Sequence, residues 1–180
     1  MLSQKGTVTD ATFPVSCIAG SEDKTARLWD IHSGRTVRLL NGCSSGVNAV
    51  KISPCGKYAA GADGGGIVHL WDMGSGKKVT EFRNKRNEKG GRPASDISMI
   101  HTMSFSACGT GLATGGDDCC VRIWDVRQET VGKSPVVTSP VKTFTTRQTI
   151  VLDLNYNKRN LLLTVGKFAT PVPSPVVVVD

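Results

Sequence analysis

Hydrophobic and polar positions alternate along this chain in short runs, which clusters of glycine, aspartate, serine and proline separate. The alternation is clear at residues 46–52 and 100–105. A period of two predicts β-strands with one buried and one exposed face. Glycine-containing turns recur between these runs along most of the chain. The sequence therefore predicts an all-β chain of short strands.

Three segments, at residues 20–30, 61–72 and 115–125, share a pattern that ends in a Trp-Asp dipeptide. Each opens with a glycine-rich, aspartate-containing turn, because glycine tolerates positive φ and aspartate hydrogen-bonds its own backbone. Alternating large and β-branched residues then predict a strand. We expect all three tryptophans to be core residues at equivalent strand positions. The dipeptides are Trp29-Asp30, Trp71-Asp72 and Trp124-Asp125.

The spacing of the tryptophans predicts repeats with inserts. Trp29 and Trp71 are 42 residues apart, the period of a four-stranded propeller blade. Trp71 and Trp124 are 53 residues apart, and the excess lies in an insert at 84–98. A second insert, at 127–140, contains two prolines. We predict one domain over 1–180 with units at about 7–40, 46–82, 99–144 and 149–180, where Val179 replaces the last tryptophan.

These residues resemble the WD-repeat β-propeller family. The resemblance implies a partial propeller of about three and a half four-stranded antiparallel blades, with each tryptophan packed between blades. It also implies a buried network that links a Gly-His dipeptide, a strand-two hydroxyl, a turn aspartate and the tryptophan. Asp23 and Asp118 fill the turn position, Gly65 replaces it in the second unit, and only Thr114 supplies the hydroxyl. We therefore expect an incomplete network.

Residues 146–166 narrow the resemblance to the C-terminal WD-repeat region of the TFIID subunit 5 family. This likeness implies a non-enzymatic scaffold in a nuclear complex that supports initiation by RNA polymerase II. It implies histone-fold subunits as partners and only a secondary contact with DNA. A generic WD-repeat adaptor, such as a ubiquitin-ligase substrate receptor or an RNA-processing scaffold, stays open as an alternative.

The number of units has a structural consequence. Propellers close into rings of four to eight blades, and three and a half blades would leave the packing faces of both end blades open. We therefore expect part of a longer protein, or one piece of a split propeller, that self-associates when expressed alone.

The net charge of +7 is concentrated in one stretch. Residues 83–92 hold five positive side chains and one negative, so they contribute +4. No aromatic residue is interleaved for base stacking, and a solvated loop is the simpler interpretation. The stretch is also a candidate loop for an acidic partner or DNA, through Arg83, Lys85, Arg86, Lys89 and Arg92.

Composition indicates which functions to expect. No nucleophile, base and acid set converges, and the six cysteines and three histidines have no zinc-site spacing. We expect no enzyme activity, metal, cofactor or small-molecule substrate. The longest apolar run, 176–179, is too short to cross a membrane. Residues 1–6 lack the apolar core of a signal peptide, so we expect free thiols in the cytosol or nucleus.

Overall fold

The computed structural model describes residues 16–83, 98–127 and 139–168 of the chain. These residues form thirteen β-strands, and no α-helix occurs among them. The strands in chain order are β1 (Ser16–Gly20), β2 (Ala26–Asp30), β3 (Arg35–Leu40), β4 (Val47–Ile52), β5 (Tyr58–Asp63), β6 (Ile67–Asp72), β7 (Lys78–Arg83), β8 (Ile100–Phe105), β9 (Gly111–Gly116), β10 (Cys120–Asp125), β11 (Lys142–Thr145), β12 (Thr149–Tyr156) and β13 (Leu162–Phe168).

The strands form four antiparallel sheets in which neighbours in the chain are neighbours in space. We call them the first blade (β1–β3), the second (β4–β7), the third (β8–β11) and the fourth (β12–β13). The second and third blades have all four strands. The architecture is the expected all-β partial propeller. The start of the unit predicted at 7–40 and the end of the unit predicted at 149–180 lie outside the described residues, so these outer boundaries stay predictions.

The Trp-Asp dipeptides occupy the same place in their blades. Each tryptophan lies opposite a residue of the preceding strand: Trp29 opposite Cys17, Trp71 opposite Ala59 and Trp124 opposite Leu112. By this equivalence β1, β2 and β3 are the second to fourth strands of their blade. A bulge directly precedes the tryptophan in the first and second blades, where the register with the following strand shifts.

Turns of the sequence Ser-x-Cys-Gly, at 53–56 and 106–109, join the first two strands of the second and third blades. In each turn the glycine N–H donates to the serine carbonyl over 2.8 Å, from Gly56 to Ser53 and from Gly109 to Ser106. The two glycines have φ values of 70° and 71°, a region that a side chain disfavours. These glycines therefore let both blades turn in the same way.

Apolar side chains from facing blades form the core. The second and third blades enclose one cluster, in which the rings of Phe82 and Trp124 have centroids 5.2 Å apart. The first and second blades enclose another, which contains Leu28, Leu40 and Trp71. Trp71 and Trp124 are 0% and 1% exposed. Each of these tryptophans therefore faces the blade that precedes its own.

The fourth blade packs on the third through a close backbone approach. Val151 and Leu154 are buried in a cluster with Ala113 and Val121. A Cβ placed on Gly115 would lie 2.5 Å from Cγ1 of Val151, so a side chain at this position would not fit. Hydroxyl side chains of β8 add inter-blade bonds, because the N–H groups of Leu154 and Tyr156 donate to Thr102 and Ser104.

Burial decreases from the middle of the described arc outward. Every residue of β5 is buried, whereas one residue of β3 is fully buried and none of β13 is. Trp29 follows this trend, since it is 37% exposed. Its position faces away from the second blade, and no blade among residues 16–83, 98–127 and 139–168 covers it. The prediction that all three tryptophans are core residues is therefore wrong for Trp29.

Candidate protein-interaction surfaces

Loops of the blades lie at two opposite edges of the described arc. The turn edge carries the turns that join the first two and the last two strands of a blade, at residues 31–34, 53–57, 73–77, 106–110 and 157–161. The connector edge carries the remaining turns and the segments between blades. At this edge, backbone hydrogen bonds join turns within blades to segments between blades. They run from Val47 N to Ser21 O, from Asp117 N to Met99 O and from Thr146 N to Cys119 O.

Asp23 orders an exposed turn at the connector edge. Its Oδ1 accepts the Thr25 N–H at 3.0 Å and the Thr25 hydroxyl at 2.5 Å, and its Oδ2 pairs with Arg27 at 2.5 Å. These bonds hold Lys24, the residue between Asp23 and Thr25, at a φ of 67°. The Thr25 hydroxyl, with help from Arg27, lowers the pKa of the Asp23 carboxyl to about 2. This carboxylate shapes its turn and stays charged across the physiological range.

The equivalent residue of the third blade, Asp118, makes a buried ion pair. Its carboxylate accepts the Cys120 N–H and binds the guanidinium of Arg122, and both side chains are almost fully buried. The spacing of four residues matches that of Asp23 and Arg27. A buried pair of this kind is costly to break, because removal of one partner leaves the other charge without compensation.

The second blade rebuilds this position from a residue that the sequence patterns did not single out. Asp63, which is 0% exposed, accepts the N–H groups of Gly65 and Ile67, each at 3.0 Å. Its other oxygen accepts the Ser44 N–H at 3.2 Å and lies 3.0 Å from Nε2 of His69. Burial raises the pKa of Asp63, but these hydrogen bonds outweigh it and leave the pKa below its ordinary value.

The buried tryptophans satisfy their indole N–H groups in two ways. Trp124 Nε1 donates to the Thr114 hydroxyl over 2.9 Å, the bond that the family resemblance implies. Trp71 Nε1 donates to the Asn41 carbonyl over 2.9 Å. The position that Thr114 fills is Gly61 in the second blade, where a Cβ would lie 2.8 Å from the Trp71 ring. In the second blade, therefore, a glycine leaves room for the Trp71 ring at the position where the third blade has a hydroxyl.

The aspartates of the Trp-Asp dipeptides lie at the turn edge. Each accepts a backbone N–H two residues ahead: Asp30 from His32, Asp72 from Gly74 and Asp125 from Arg127. The backbone bond from Arg127 and its guanidinium hold the pKa of Asp125 below its usual range. Three separate blades carry these aspartates, so they stabilise turns one by one and form no common site.

Of the candidate basic loop, only Arg83 lies within the described residues. Its guanidinium donates to Glu81 over 3.0 Å, and Glu81 also pairs with Lys78 at 3.3 Å. Part of the positive charge at the start of the loop is therefore compensated. Lys85, Arg86, Lys89 and Arg92 lie outside the described residues, as do 84–97 of the first insert and 128–138 of the second. The loop remains a proposal.

Two apolar faces are exposed at the ends of the described arc. On the first blade, Trp29, Val37 and Leu39 are 37–52% exposed. On the fourth blade, Leu163 and Val165 are each 63% exposed. Large apolar side chains exposed together on one blade are typical of protein interfaces. The described residues thus offer two apolar faces and two loop edges for contact with other protein surfaces.

Within 16–83, 98–127 and 139–168, no group of three or more histidine, cysteine, aspartate or glutamate side chains is placed to hold a metal ion. No helix in those ranges is long and apolar enough to cross a membrane.

Four-stranded antiparallel blades, packed face to face with Trp-Asp on the third strand, define the fold class as a WD-repeat β-propeller. A family model described as "Nucleolar protein 10-like, N-terminal domain", a β-propeller, matches residues 11–172. The chain therefore belongs to this β-propeller family.

Curated relatives carry the same repeats in proteins of different roles. The chain is 30% identical over 161 residues to "Transcription initiation factor TFIID subunit 5" of Caenorhabditis elegans. This alignment covers 83% of this chain and 24% of the relative. It is 31% identical to a guanine nucleotide-binding protein subunit beta of Zea mays, over 60% of this chain and 28% of the relative. It is also 31% identical to target of rapamycin complex subunit LST8 of Mus musculus, over 63% of this chain and 32% of the relative. The chain thus spans about a quarter to a third of these relatives.

Proposed function

We propose that this chain is a non-enzymatic protein-interaction scaffold of a TFIID-type general transcription factor complex that supports initiation by RNA polymerase II. The observation that carries the proposal is the 30% identity to TFIID subunit 5 over 83% of the chain, against 60% and 63% coverage for the other two relatives above. The place of action under this proposal is the nucleus.

The geometry supports a scaffold because buried charged side chains of the repeats stabilise the blades. Asp63 and His69 bond to each other at 0% exposure, where no substrate reaches them. Asp118 and Arg122 are paired in the same buried manner. Rigid strands therefore hold the loops of both edges in fixed positions, which is how repeat scaffolds present variable contact residues to partners.

The proposed partners are histone-fold subunits, which contact loops of the turn and connector edges. The stretch 83–92 adds a secondary contact with DNA or an acidic surface, because it concentrates +4 of the net charge. No small molecule or membrane takes part in this proposal.

The decisive experiment is purification of the tagged, native-length protein from nuclear extract, with identification of the proteins that co-purify. We expect histone-fold TFIID subunits and the TATA-binding protein. Recovery of ubiquitin-ligase or splicing components without them would support the generic adaptor instead.

The contribution of the basic stretch is tested with a matched variant in which its five positive residues become glutamine. We expect the variant to retain the histone-fold partners and to lose a filter-binding signal for DNA that falls steeply as salt rises. Loss of the protein partners together with the DNA signal would contradict a secondary role for this stretch.

A second candidate function is favoured by the family model, whose description names a nucleolar protein and which matches residues 11–172. In this alternative the chain is a scaffold of a nucleolar assembly. Imaging of the tagged protein distinguishes the two, because a TFIID-type subunit is expected throughout the nucleoplasm. Concentration in nucleoli, with nucleolar proteins in the purified complex, would replace the first proposal with the second.

A further inference from the structure

Two cysteines occupy equivalent places in neighbouring blades. Cys55 and Cys108 are each the third residue of a Ser-x-Cys-Gly turn, and each sulfur lies 3.3 Å from the serine hydroxyl of its own turn. Both side chains are exposed, and neither is in a disulfide. The two turns carry the thiols on the same edge of the arc, which we have called the turn edge.

The packing of the two blades brings these turns together. A Cβ placed on Gly109 would lie 3.3 Å from the sulfur of Cys55, so the Cys55 thiol reaches the residue that follows Cys108. Both cysteines line one open cleft of about 290 Å³ at the boundary between the second and third blades. The repeat motif does not use this cleft, and the partner contacts proposed for the turn edge require no thiol chemistry.

The surroundings of Cys108 favour its reactive form. Hydrogen bonds with the Ser106 hydroxyl and then with the Thr110 hydroxyl, 3.0 Å away, lower the pKa of the Cys108 thiol to about 7. Cys43 is the opposite case, since burial and then the charge of Asp63 raise its pKa to about 11. The thiolate is the nucleophile in thiol chemistry, so Cys108 is ionised to a large extent near neutral pH.

Other charged and titratable groups face the thiols from every neighbouring element. Lys57 and Tyr58 line the cleft from the second blade, with Nζ of Lys57 4.8 Å from the centroid of the Tyr58 ring. Arg127 lines it from the third blade and pairs with Asp125 at 3.3 Å. From the fourth blade comes Tyr156, whose pKa burial and then the charge of Cys108 raise. The lowered pKa of Cys108 therefore comes mainly from the hydroxyl groups of its own turn.

We propose that Cys55 and Cys108 form a peroxide-sensitive thiol pair, in which a hydroperoxide oxidises Cys108 and Cys55 resolves it as a disulfide between the second and third blades. This modification site lies on the turn edge to which the proposed function assigns partners, but its chemistry needs no partner and can be tested without one.

Both steps balance with hydrogen peroxide as the only oxidant. The Cys108 thiolate attacks one peroxide oxygen, the O–O bond breaks, and Cys108 becomes a sulfenic acid while hydroxide leaves and is protonated to water. The Cys55 thiol then attacks the Cys108 sulfur. An S–S bond forms, the S–O bond breaks, and a second water leaves with the Cys55 proton. The two sulfurs together lose two electrons, and the peroxide gains them.

The test treats the purified, reduced chain with hydrogen peroxide, blocks the remaining thiols and maps disulfides and sulfenic acids by peptide mass. In the wild type we expect a disulfide-linked Cys55–Cys108 peptide. In Cys55→Ser we expect oxidation to stop at a sulfenic acid on Cys108, which dimedone labels. In Cys108→Ser we expect no dimedone label on Cys55 at the same peroxide dose.

Any one of three outcomes overturns the proposal. One is dimedone labelling of wild-type Cys108 without the linked peptide, since Cys55 would then resolve nothing. A second is labelling of Cys55 in Cys108→Ser at the rate seen for Cys108, since the surroundings of Cys108 would then have no effect on the oxidation. An intermolecular linkage on a non-reducing gel, without the intramolecular peptide, likewise contradicts it.

A second measurement tests the reactivity of Cys108 by itself. At pH 7 a thiol of pKa 7 has about 5,000 times more thiolate than one of pKa 11, and its lower nucleophilicity offsets roughly 40–100-fold of this. We therefore expect iodoacetamide to modify Cys108 on the order of 100-fold faster than Cys43, with a rate midpoint near pH 7. Thr110→Val should move this midpoint to higher pH and Thr110→Ser should restore it. Equal rates at the two cysteines would rule out the assignment.

Discussion

The substitution Trp71→Ala tests whether the blades are held together by their tryptophans. Trp71 is 0% exposed, packs in the cluster between the first and second blades, and stacks on His69 with ring centroids 5.8 Å apart. Its removal opens a cavity and leaves the Asn41 carbonyl without the indole N–H. Truncation of a buried tryptophan costs about 3–5 kcal/mol, which corresponds to a fall in Tm of about 6–20 °C for a chain of this size.

The matched control is the same substitution at the equivalent position of the first blade. Trp29→Ala should cost at least about 1.5 kcal/mol less, because the ring is 37% exposed and its removal encloses no cavity. Urea unfolding followed by circular dichroism measures both free energies of unfolding, and the remaining tryptophans report on the folded state by fluorescence. Equal costs for the two variants would refute the inference that Trp71 is the inter-blade contact and that Trp29 faces water.

Three further predictions concern single contacts. Gly115→Ala should destabilise the chain by about 1–3 kcal/mol, because the added Cβ would lie 2.5 Å from Val151; thermal unfolding measures it. Thr114→Val should cost about 1–3 kcal/mol in urea unfolding, since it leaves the buried Trp124 N–H without an acceptor. The pKa of Asp23, lowered to about 2 from 3.8, gives a contribution that is present above its unfolded pKa and lost as the pH falls through 2. Asp23→Asn should therefore be less stable than the wild type at neutral pH, and acid titration of both should show the difference shrink between about pH 4 and 2.

Each of these predictions has its own control. Gly74→Ala adds a Cβ whose nearest atom, an Asp72 carboxylate oxygen, lies 3.4 Å away, and it should change stability little; a loss as large as that of Gly115→Ala would contradict the close-approach explanation. Thr114→Ser retains the hydroxyl and should recover part of the stability that valine loses. A stability difference for Asp23→Asn that persists unchanged down to pH 2 would show that the aspartate does not act through its charge.

The repeat pattern in the sequence predicted the strands because local chemistry determines them. Alternation, glycine turns and Trp-Asp dipeptides set β4 to β10 and the equivalent positions of the tryptophans, and these features need no knowledge of distant contacts. The exposure of Trp29 could not be read from its motif. Burial of that ring depends on which blade lies against it, and the motif is the same in all three blades.

Other features depended on contacts that spacing does not show. Gly65 suggested that the second blade lacks its turn carboxylate, yet Asp63 supplies one from two residues earlier and reaches His69. The sequence does show an aspartate, Asp63, next to three glycines. Only the folded turn shows that its carboxylate accepts backbone N–H groups of the turn, as the turn aspartates of the other blades do. The proximity of Cys55 to the turn of Cys108 also arises from blade packing, because 53 residues separate the two in sequence.

The outward decrease in burial has a dynamic consequence. Each blade of a repeat protein contacts only its neighbours, so stability is a sum of blade and interface contributions. Amide hydrogens of β5, where every residue is buried, should exchange with solvent most slowly, and those of β3 and β13 should exchange at far lower opening energies. We therefore expect the end strands to open locally while the centre stays closed. A partner that covers the end strands would slow their amide exchange, and the cost of ordering these strands would reduce its binding free energy.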